Sequence, residues 1–410
     1  MKATNKLTIL NDPIYGFITI PNTFIFDLIQ HRYFQRLRRI SQMGLSYLVY
    51  PGAHHTRFQH ALGCLHLMQK AITVLHYKGI NITEEEKEAL LIAILLHDIG
   101  HGPFSHAMEH SIVEGIHHED MSLLFMKKLN QEFSGRLSMA IAIFKGDYSM
   151  TFMNQLVSGQ LDIDRMDYLK RDSFYTGVSE GNINSERIIT MLNVTEDDKL
   201  AIEEKGVYSI EKFLVARRLM YWQVYLHKTS LVAEQLMIRV FKRAKELLLE
   251  GKDLYASDAL LFFMKNQLSK KDFDTKYLDL FSKLDDYDVV SAMKAWQRSD
   301  DYVLSTLCTM LINRTLLKIK LKNKPISIDK LEKHRKRFAK THKISEHEAN
   351  YFVFSGGIEN QAYDTKKHNI NILLENKKTI DVAIASDQLN ILALSKPVKK
   401  YYICYPKDQH

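Results

Sequence analysis

The sequence predicts a mainly α-helical fold: a helical bundle with small β-hairpins and a C-terminal α+β element. Three observations carry that expectation. Apolar residues recur at helical spacing from Phe24 to about Glu250. Two capping-box signatures, Thr56 to Gln59 and Thr83 to Glu86, stand where helices should open. Strand-like alternation is confined to residues 6–20, a ribbon near Leu200 and the last stretch of the chain.

In chain order, residues 6–20 alternate around Asn11-Asp12-Pro13 and read as a β-hairpin. Helices follow over Phe24 to Met43, from Thr56 to Lys78, and from Thr83 onward. The later half of that third helix is apolar all round, so its end at His97-Asp98 should lie deep. Further helices are expected over His118 to Asn130 and Asn154 to Ser173. A β-ribbon over Leu200 to Val207, a long helix over Ser209 to Glu250 and a helical stretch over Ala256 to Leu317 complete the body. Beyond it come the alternating run Lys318 to Lys322, a basic helix over Asp329 to Lys340, and strand-like runs at Asn369 to Leu374 and Thr379 to Ile384. The expected organisation is a hairpin (1–23), a core (24–200), a helical extension completing a cleft (201–317) and the α+β element (318–410).

Of the 410 residues, 46% are hydrophobic and 25% charged, ordinary for a globular chain with a sizeable core. The net charge of +8 suits a polyanionic ligand such as a nucleotide, and is equally compatible with nucleic acid or a membrane surface. Cys64, Cys308 and Cys404 are too few and scattered for a disulfide framework or zinc ribbon. The N-terminus has no apolar signal core, and the longest apolar run, Ala89 to Leu96, is too short to span a bilayer. A cytoplasmic protein with no membrane partner is the expectation.

The densest chemistry is in His97-Asp98-Ile99-Gly100-His101-Gly102-Pro103-Phe104-Ser105-His106. A buried apolar helix ending in histidine and carboxylate needs a partner, because desolvating an unpaired carboxylate costs several kcal/mol. An isolated pair of this kind is commonly a His–Asp hydrogen bond; a divalent cation would satisfy both groups, with manganese, magnesium, iron, nickel and zinc all compatible. Three segments add weight: Arg57-Phe58-Gln59-His60 at a helix start, His117-His118-Glu119-Asp120 at another, and Asp162 to Asp172. In the last, Asp164, Tyr168, Arg171 and Asp172 fall on one helical face.

In this order and spacing the segments resemble the HD superfamily of metal-dependent phosphohydrolases, and the expected bundle becomes an HD-domain helical bundle. The match is denser than the ligand pattern alone. FQRLRRISQMG, YPGAHHTRFQHALG, LLHDIGHGPFSHAMEH and LDIDRMDYLKRD resemble stretches of deoxynucleoside triphosphate triphosphohydrolases, nearest the HD domain of the SAM-and-HD-domain enzymes and their bacterial relatives. The similarity is dense over about residues 6–250 and thinner beyond.

The resemblance implies His60, His97, Asp98 and Asp164 as metal ligands, and splitting of a dNTP, dGTP among the candidates, into deoxynucleoside and inorganic tripolyphosphate. His106 and Glu109 would act as a paired general acid/base, with His101 and His118 beside them. Arg57, Arg165, Arg217 and Lys228 would neutralise phosphates. Gln42 and Asp172 would contact the sugar 3′ hydroxyl, Tyr168 would stack beneath the sugar, and Tyr225 would crowd the 2′ carbon. Tyr221 stands where the family has histidine, Glu109 where aspartate is frequent, and Gln30 where nucleotide-activated members carry aspartate. Asn11, Gln35 and Arg38 mark a nucleotide effector site, which the change at Gln30 puts in question. Homo-oligomers, dimers or tetramers, are also implied.

Two other readings fit the residues. One is an HD phosphohydrolase acting on a nucleoside monophosphate, an alarmone or a cyclic nucleotide. The other is a non-catalytic nucleotide sensor or nucleic-acid-binding regulator, motivated by the basic segment Lys318 to Lys343, which has few interleaved aromatics for stacking.

Overall fold

The computed structural model describes residues 8–105, 115–266, 268, 273, 275–364, 369–387 and 394–407. Ile9–Asp12 (β1) and Gly16–Thr19 (β2) pair antiparallel, with Asn11 opposite Phe17. Asp12 closes the turn: its Oδ1 accepts from the Ile14 and Tyr15 N–H groups at 2.9 and 3.1 Å.

The single helix expected from Phe24 to Met43 is broken. Thr23–Gln30 (α1) stops at His31, which is extended at ψ 139° and accepts from the Tyr33 N–H to cap Arg32–Gln35 (α2). A 3-10 turn, Arg36–Arg39, follows. Arg57–Tyr77 (α3) and Glu84–Leu96 (α4) both open with the complete capping boxes read from the sequence. Ala89 to Leu96 are all buried, so α4 delivers His97 and Asp98 to the interior at 7% and 6% exposure.

After His118–Glu132 (α5) and Ser138–Lys145 (α6), the helix expected over Asn154 to Ser173 is two, Thr151–Val157 (α7) and Ile163–Thr176 (α8). The interruption is held by Asp162, which accepts from the Gly159 and Arg165 N–H groups and caps α8. Ser185–Thr190 (α9) leads into Leu192–Val194 (β3) and Leu200–Glu203 (β4), so the ribbon expected to reach Val207 ends at Glu203.

The long helix expected over Ser209 to Glu250 also divides. Val207–Met220 (α10) runs into a π-helical turn at Tyr221–Tyr225, and the His227 ring then caps Lys228–Leu249 (α11). The stretch to Leu317 contains Asp258–Lys265 (α12), Thr275–Phe281 (α13), Asp286–Trp296 (α14) and Tyr302–Ile312 (α15).

The C-terminal part is α+β, with Lys318–Lys322 (β5), Ile328–His342 (α16), Glu346–Ala349 (α17), Phe354–Asn360 (β6), Asn371–Leu373 (β7), Thr379–Asp381 (β8), Val382–Ala385 (α18) and Val398–Tyr405 (β9). The Thr379 to Ile384 run is therefore strand only to Asp381, whose carboxylate then caps α18 by accepting from the Ala383 N–H. One sheet has the order β5-β9-β6, all antiparallel. The other has the order β3-β4-β7-β8, in which β4 and β7 run parallel and pair the C-terminal element with the helical body.

A continuous apolar core runs through the described residues, from Ile18 on β2 to Tyr405 on β9. Among them no helix is long and apolar enough to cross a membrane.

Candidate active site

Three helix ends converge on one point. The first turn of α3 presents His60, the end of α4 presents His97 and Asp98, and the first turn of α8 presents Asp164. His60 Nε2 lies 3.0 Å from Asp164 Oδ1 and 3.7 Å from Asp98 Oδ2. His97 Nε2 lies 3.5 Å from both Asp98 Oδ1 and Asp164 Oδ1.

The other nitrogen of each ring is already committed. His60 Nδ1 donates to Asp167 Oδ2 at 2.7 Å, and His97 Nδ1 to the Ile94 carbonyl at 2.6 Å. Both rings therefore turn Nε2 toward the carboxylates and leave that nitrogen for a metal ion, the arrangement that prepares imidazoles as metal ligands. His97 Nε2 is buried and, among the described residues, makes no hydrogen bond.

The electrostatics agree with that donor set. Burial opposes charge at Asp98, yet Arg57, His97 and His101 hold its carboxyl well below the usual range. Burial likewise opposes charge at Asp164, and His60 and His97 hold it below. Both carboxylates are thus ionised. Burial also disfavours a proton on His97, but Asp98 and Asp164 raise it above the ordinary value. The site demands positive charge between its carboxylates, and a divalent cation coordinated by two imidazoles and two carboxylates meets that demand. Cys64 Sγ lies 3.6 Å from His60 Nδ1 and belongs to one cluster of potential ligands with His60, His97 and Asp164. Burial pushes its thiol up.

A buried relay stands behind the site. Asp167 also accepts from Arg171 Nε and Nη2 at 2.9 and 3.1 Å, and Arg171 Nη1 donates to Asp12 Oδ2 at 2.8 Å. The N-terminal hairpin is thereby tied to His60. Gly63, one turn past His60 on α3, leaves room for this pair: a Cβ there would overlap Asp167 Oδ1 and Arg171 Nη2.

The cluster opens into a cavity of about 610 Å³. Of the residues singled out from the sequence, Gln42, Arg57, His97, Asp98, His101, His118, Asp164, Arg165, Tyr168, Asp172, Tyr221 and Tyr225 all line it. Arg57 pairs with Asp98 and donates from Nε to Ser105 Oγ at 3.0 Å, so part of its guanidinium is committed to the Asp98 carboxylate. Arg165 is ion-paired with Asp162. His101 and His118 stack at 4.0 Å between centroids, with His101 Nε2 3.3 Å from Asp98 Oδ1. Tyr225 donates its hydroxyl to Asp172 Oδ2 at 2.8 Å.

Arg217 and Lys228 are not among the lining residues. Arg217 is buried, with Nε and Nη1 unpartnered among the described residues, and Lys228 is exposed at the start of α11. His106 and Glu109 lie outside the described residues. Away from the cavity, Gln35 donates to the Ile29 carbonyl at 2.7 Å and accepts from Arg38 Nε at 2.8 Å, while Asn11 sits in the hairpin.

Several contributors escaped the sequence reading. His55 is buried against Asp172 Oδ1 at 2.7 Å. Glu234 on α11 lines the cavity, where burial pushes its carboxyl up to about 7. Asp286, at the start of α14, accepts from the Phe104 and Ser41 N–H groups at 2.7 and 2.8 Å. It thereby holds the cavity wall at Phe104 and Ser105, which carry left-handed φ values of 51° and 53°. Only Asp167 had a visible signal, lying between Asp164 and Arg171 on the singled-out helix.

Comparison with known proteins agrees with this geometry. A family model described as HD domain matches residues 57–172, and one described as HD associated region matches 183–276. A crystal structure of a phosphohydrolase from Bacteroides thetaiotaomicron is 51% identical, superposes with a TM-score of 0.94, and covers 98% of this chain and 100% of that one. The uncharacterized protein YwfO of Bacillus subtilis is 35% identical over 75% of this chain and 70% of its own length. The deoxynucleoside triphosphate triphosphohydrolase SAMHD1 homolog of Dictyostelium discoideum is 32% identical over 58% of this chain and 50% of its own.

Proposed function

This chain belongs to the HD-domain family, and from that premise we propose that it is a metal-dependent phosphohydrolase whose substrate is a deoxynucleoside triphosphate. The products are the deoxynucleoside and inorganic tripolyphosphate. The observation that carries the choice of substrate is the Tyr225–Asp172 hydrogen bond inside the same cavity as the ligand cluster. It locks an aromatic ring beside the carboxylate proposed to receive a sugar 3′ hydroxyl, and so closes the space a 2′ hydroxyl would need. The SAMHD1 likeness supports the same substrate class.

His60, His97, Asp98 and Asp164 hold the metal in this reading. A divalent cation there supplies Lewis acidity toward a phosphoryl oxygen and lowers the pKa of water. The protein's own groups do the rest. Arg57 and Arg165 place positive charge along the phosphate chain, with Arg217 and Lys228 as further cations outside the cavity lining. Gln42 and Asp172 orient the sugar and Tyr168 lies against it. His101 and His118 line the reacting end, and His106 with Glu109 would deliver a proton to the departing 5′ oxygen. Assembly into dimers or tetramers, and activation by a nucleotide near Asn11, Gln35 and Arg38, belong to the same proposal. Light scattering with and without dNTP tests both.

The test of the substrate is turnover of each dNTP beside its ribonucleotide counterpart with Mn²⁺, using His97→Ala as the blank. The reading holds if dNTPs alone are consumed. Release of orthophosphate from a nucleoside monophosphate or cyclic nucleotide, with all dNTPs inert, selects the other HD chemistry instead.

A further inference from the structure

Helix α11 separates two cavities. Glu234 faces the first, while Gln235, Arg239 and Lys242 line a second of about 500 Å³ that also borders α16, α17 and β6. We propose that this second cavity binds a phosphate-bearing small anion, a nucleotide or an inorganic oligophosphate, through Arg239, Lys242 and Arg335.

Arg239 carries the argument. Its guanidinium lies 3.3 Å from the centroid of the Phe354 ring, which fixes its plane. Nη1 is spent on the Gln235 carbonyl and Oε1, at 3.0 and 3.1 Å. Among the described residues, no acceptor is hydrogen-bonded to Nε or Nη2, and no carboxylate pairs with Arg239 or with Lys242. Burial pulls the Arg239 guanidinium down to about 10, the mark of a cation lacking a counter-charge.

The surroundings add positive charge that is only partly compensated. Arg335 Nε donates to the Val353 carbonyl at 3.1 Å, and its nearest carboxylate, Glu332, is 4.0 Å from Nη1. Lys242 and His347 stand at the exposed rim, and none of the lining residues is acidic. A largely buried, unpaired arginine is unfavourable unless an anion completes it. A planar fork with two free edges, flanked by a lysine and a second arginine, matches a phosphoryl group in shape and charge. The volume is that of a site for a small ligand rather than a lone ion. This site is separate from the metal cluster and does not depend on which nucleotide is hydrolysed.

The experiment is calorimetric titration of the full-length, metal-loaded protein with inorganic pyrophosphate, repeated on Arg239→Gln and on Lys242→Ala. Arg239→Gln should weaken one class of pyrophosphate sites by roughly tenfold or more, the effect of one charge-assisted pair. Turnover in the first cavity should persist. Lys242→Ala, at an exposed position, should weaken the same class less and guards against misfolding of the first variant. Replacing pyrophosphate by a nucleoside diphosphate separates the sources: tighter binding identifies a nucleotide site, weaker binding an inorganic one. Pyrophosphate stoichiometry and affinity unchanged in both variants would overturn the proposal.

Discussion

Asp167 touches neither the cavity nor any proposed substrate position, yet the metal site should depend on it. In Asp167→Asn, His60 keeps a neutral acceptor at best and loses the carboxylate at 2.7 Å that favours its inward-facing Nε2. Outer partners of this kind typically change metal affinity 10- to 100-fold, so a loss of about that size is expected. Stability should fall too. Removing one member of a buried pair costs about 3–5 kcal/mol when the remaining charge is stranded. Here Arg171 retains Asp12 at 2.8 Å, so the low end applies.

The wild-type pH dependence gives a second handle. Burial opposes charge on Asp167, but Arg171 and His60 depress its carboxyl to about 2, from 3.8. A depressed carboxyl stabilises the fold above its unfolded value, and that stabilisation disappears as pH falls through about 2. It is worth roughly 2 kcal/mol at neutral pH. Asp167→Asn should therefore melt lower than wild type at pH 7 and converge with it in strong acid. Gly63→Ala should reproduce the metal defect, because its Cβ occupies the place of the Asp167–Arg171 pair. Metal content by mass spectrometry after dialysis against Mn²⁺, with melting curves on the same samples, checks all three. Wild-type metal retention in folded Asp167→Asn would refute the reasoning.

Glu234 provides an opposite pH signature: with its carboxyl raised by burial to about 7, its stabilisation is complete below about 4.5 and is lost as pH rises through 7. Glu234→Gln should melt like wild type near pH 4.5 and higher than it at pH 8.5, by at most about 3 kcal/mol of stability, as thermal melts will show. Asp286→Ala strands the Ser41 and Phe104 N–H groups, which should cost on the order of 3 kcal/mol by urea titration and raise KM more than it lowers kcat, since the loop it holds lines the cavity. Tyr225→Ala should admit ribonucleotides and narrow the dNTP-over-NTP ratio of kcat/KM at least tenfold, while Tyr225→Phe, which keeps the ring, should narrow it less.

The buried His97-Asp98 end of α4 was legible because its physics is local, whereas His60 and Asp164 joined it only through the family resemblance. An all-apolar helix that ends in histidine and aspartate announces buried polar groups, and capping boxes mark where two of the helices start. The helix breaks were not legible. At His31 and His227 a histidine ring does the capping, and at Tyr221 the helix widens into a π-turn without interrupting the apolar rhythm. Strand β5 was legible in its alternation, whereas β6 hid for another reason: it contains Gly356 and Gly357, and takes its extended form from pairing with a strand about 40 residues away. Asp286 and Glu234 illustrate the same limit at the site. Glu234 reaches the cavity, and Asp286 the backbone of its wall, through packing of helices far downstream of the HD dipeptide, and no spacing rule connects them.

The central claim concerns which bond breaks. The most direct measurement is hydrolysis of a dNTP in ¹⁸O-labelled water with Mn²⁺, followed by anion-exchange separation and mass spectrometry of the products. Deoxynucleoside without label and tripolyphosphate carrying one ¹⁸O are expected, both absent in His97→Ala. Labelled orthophosphate with a deoxynucleoside diphosphate, or no consumption of any dNTP alone or in mixtures, would contradict it.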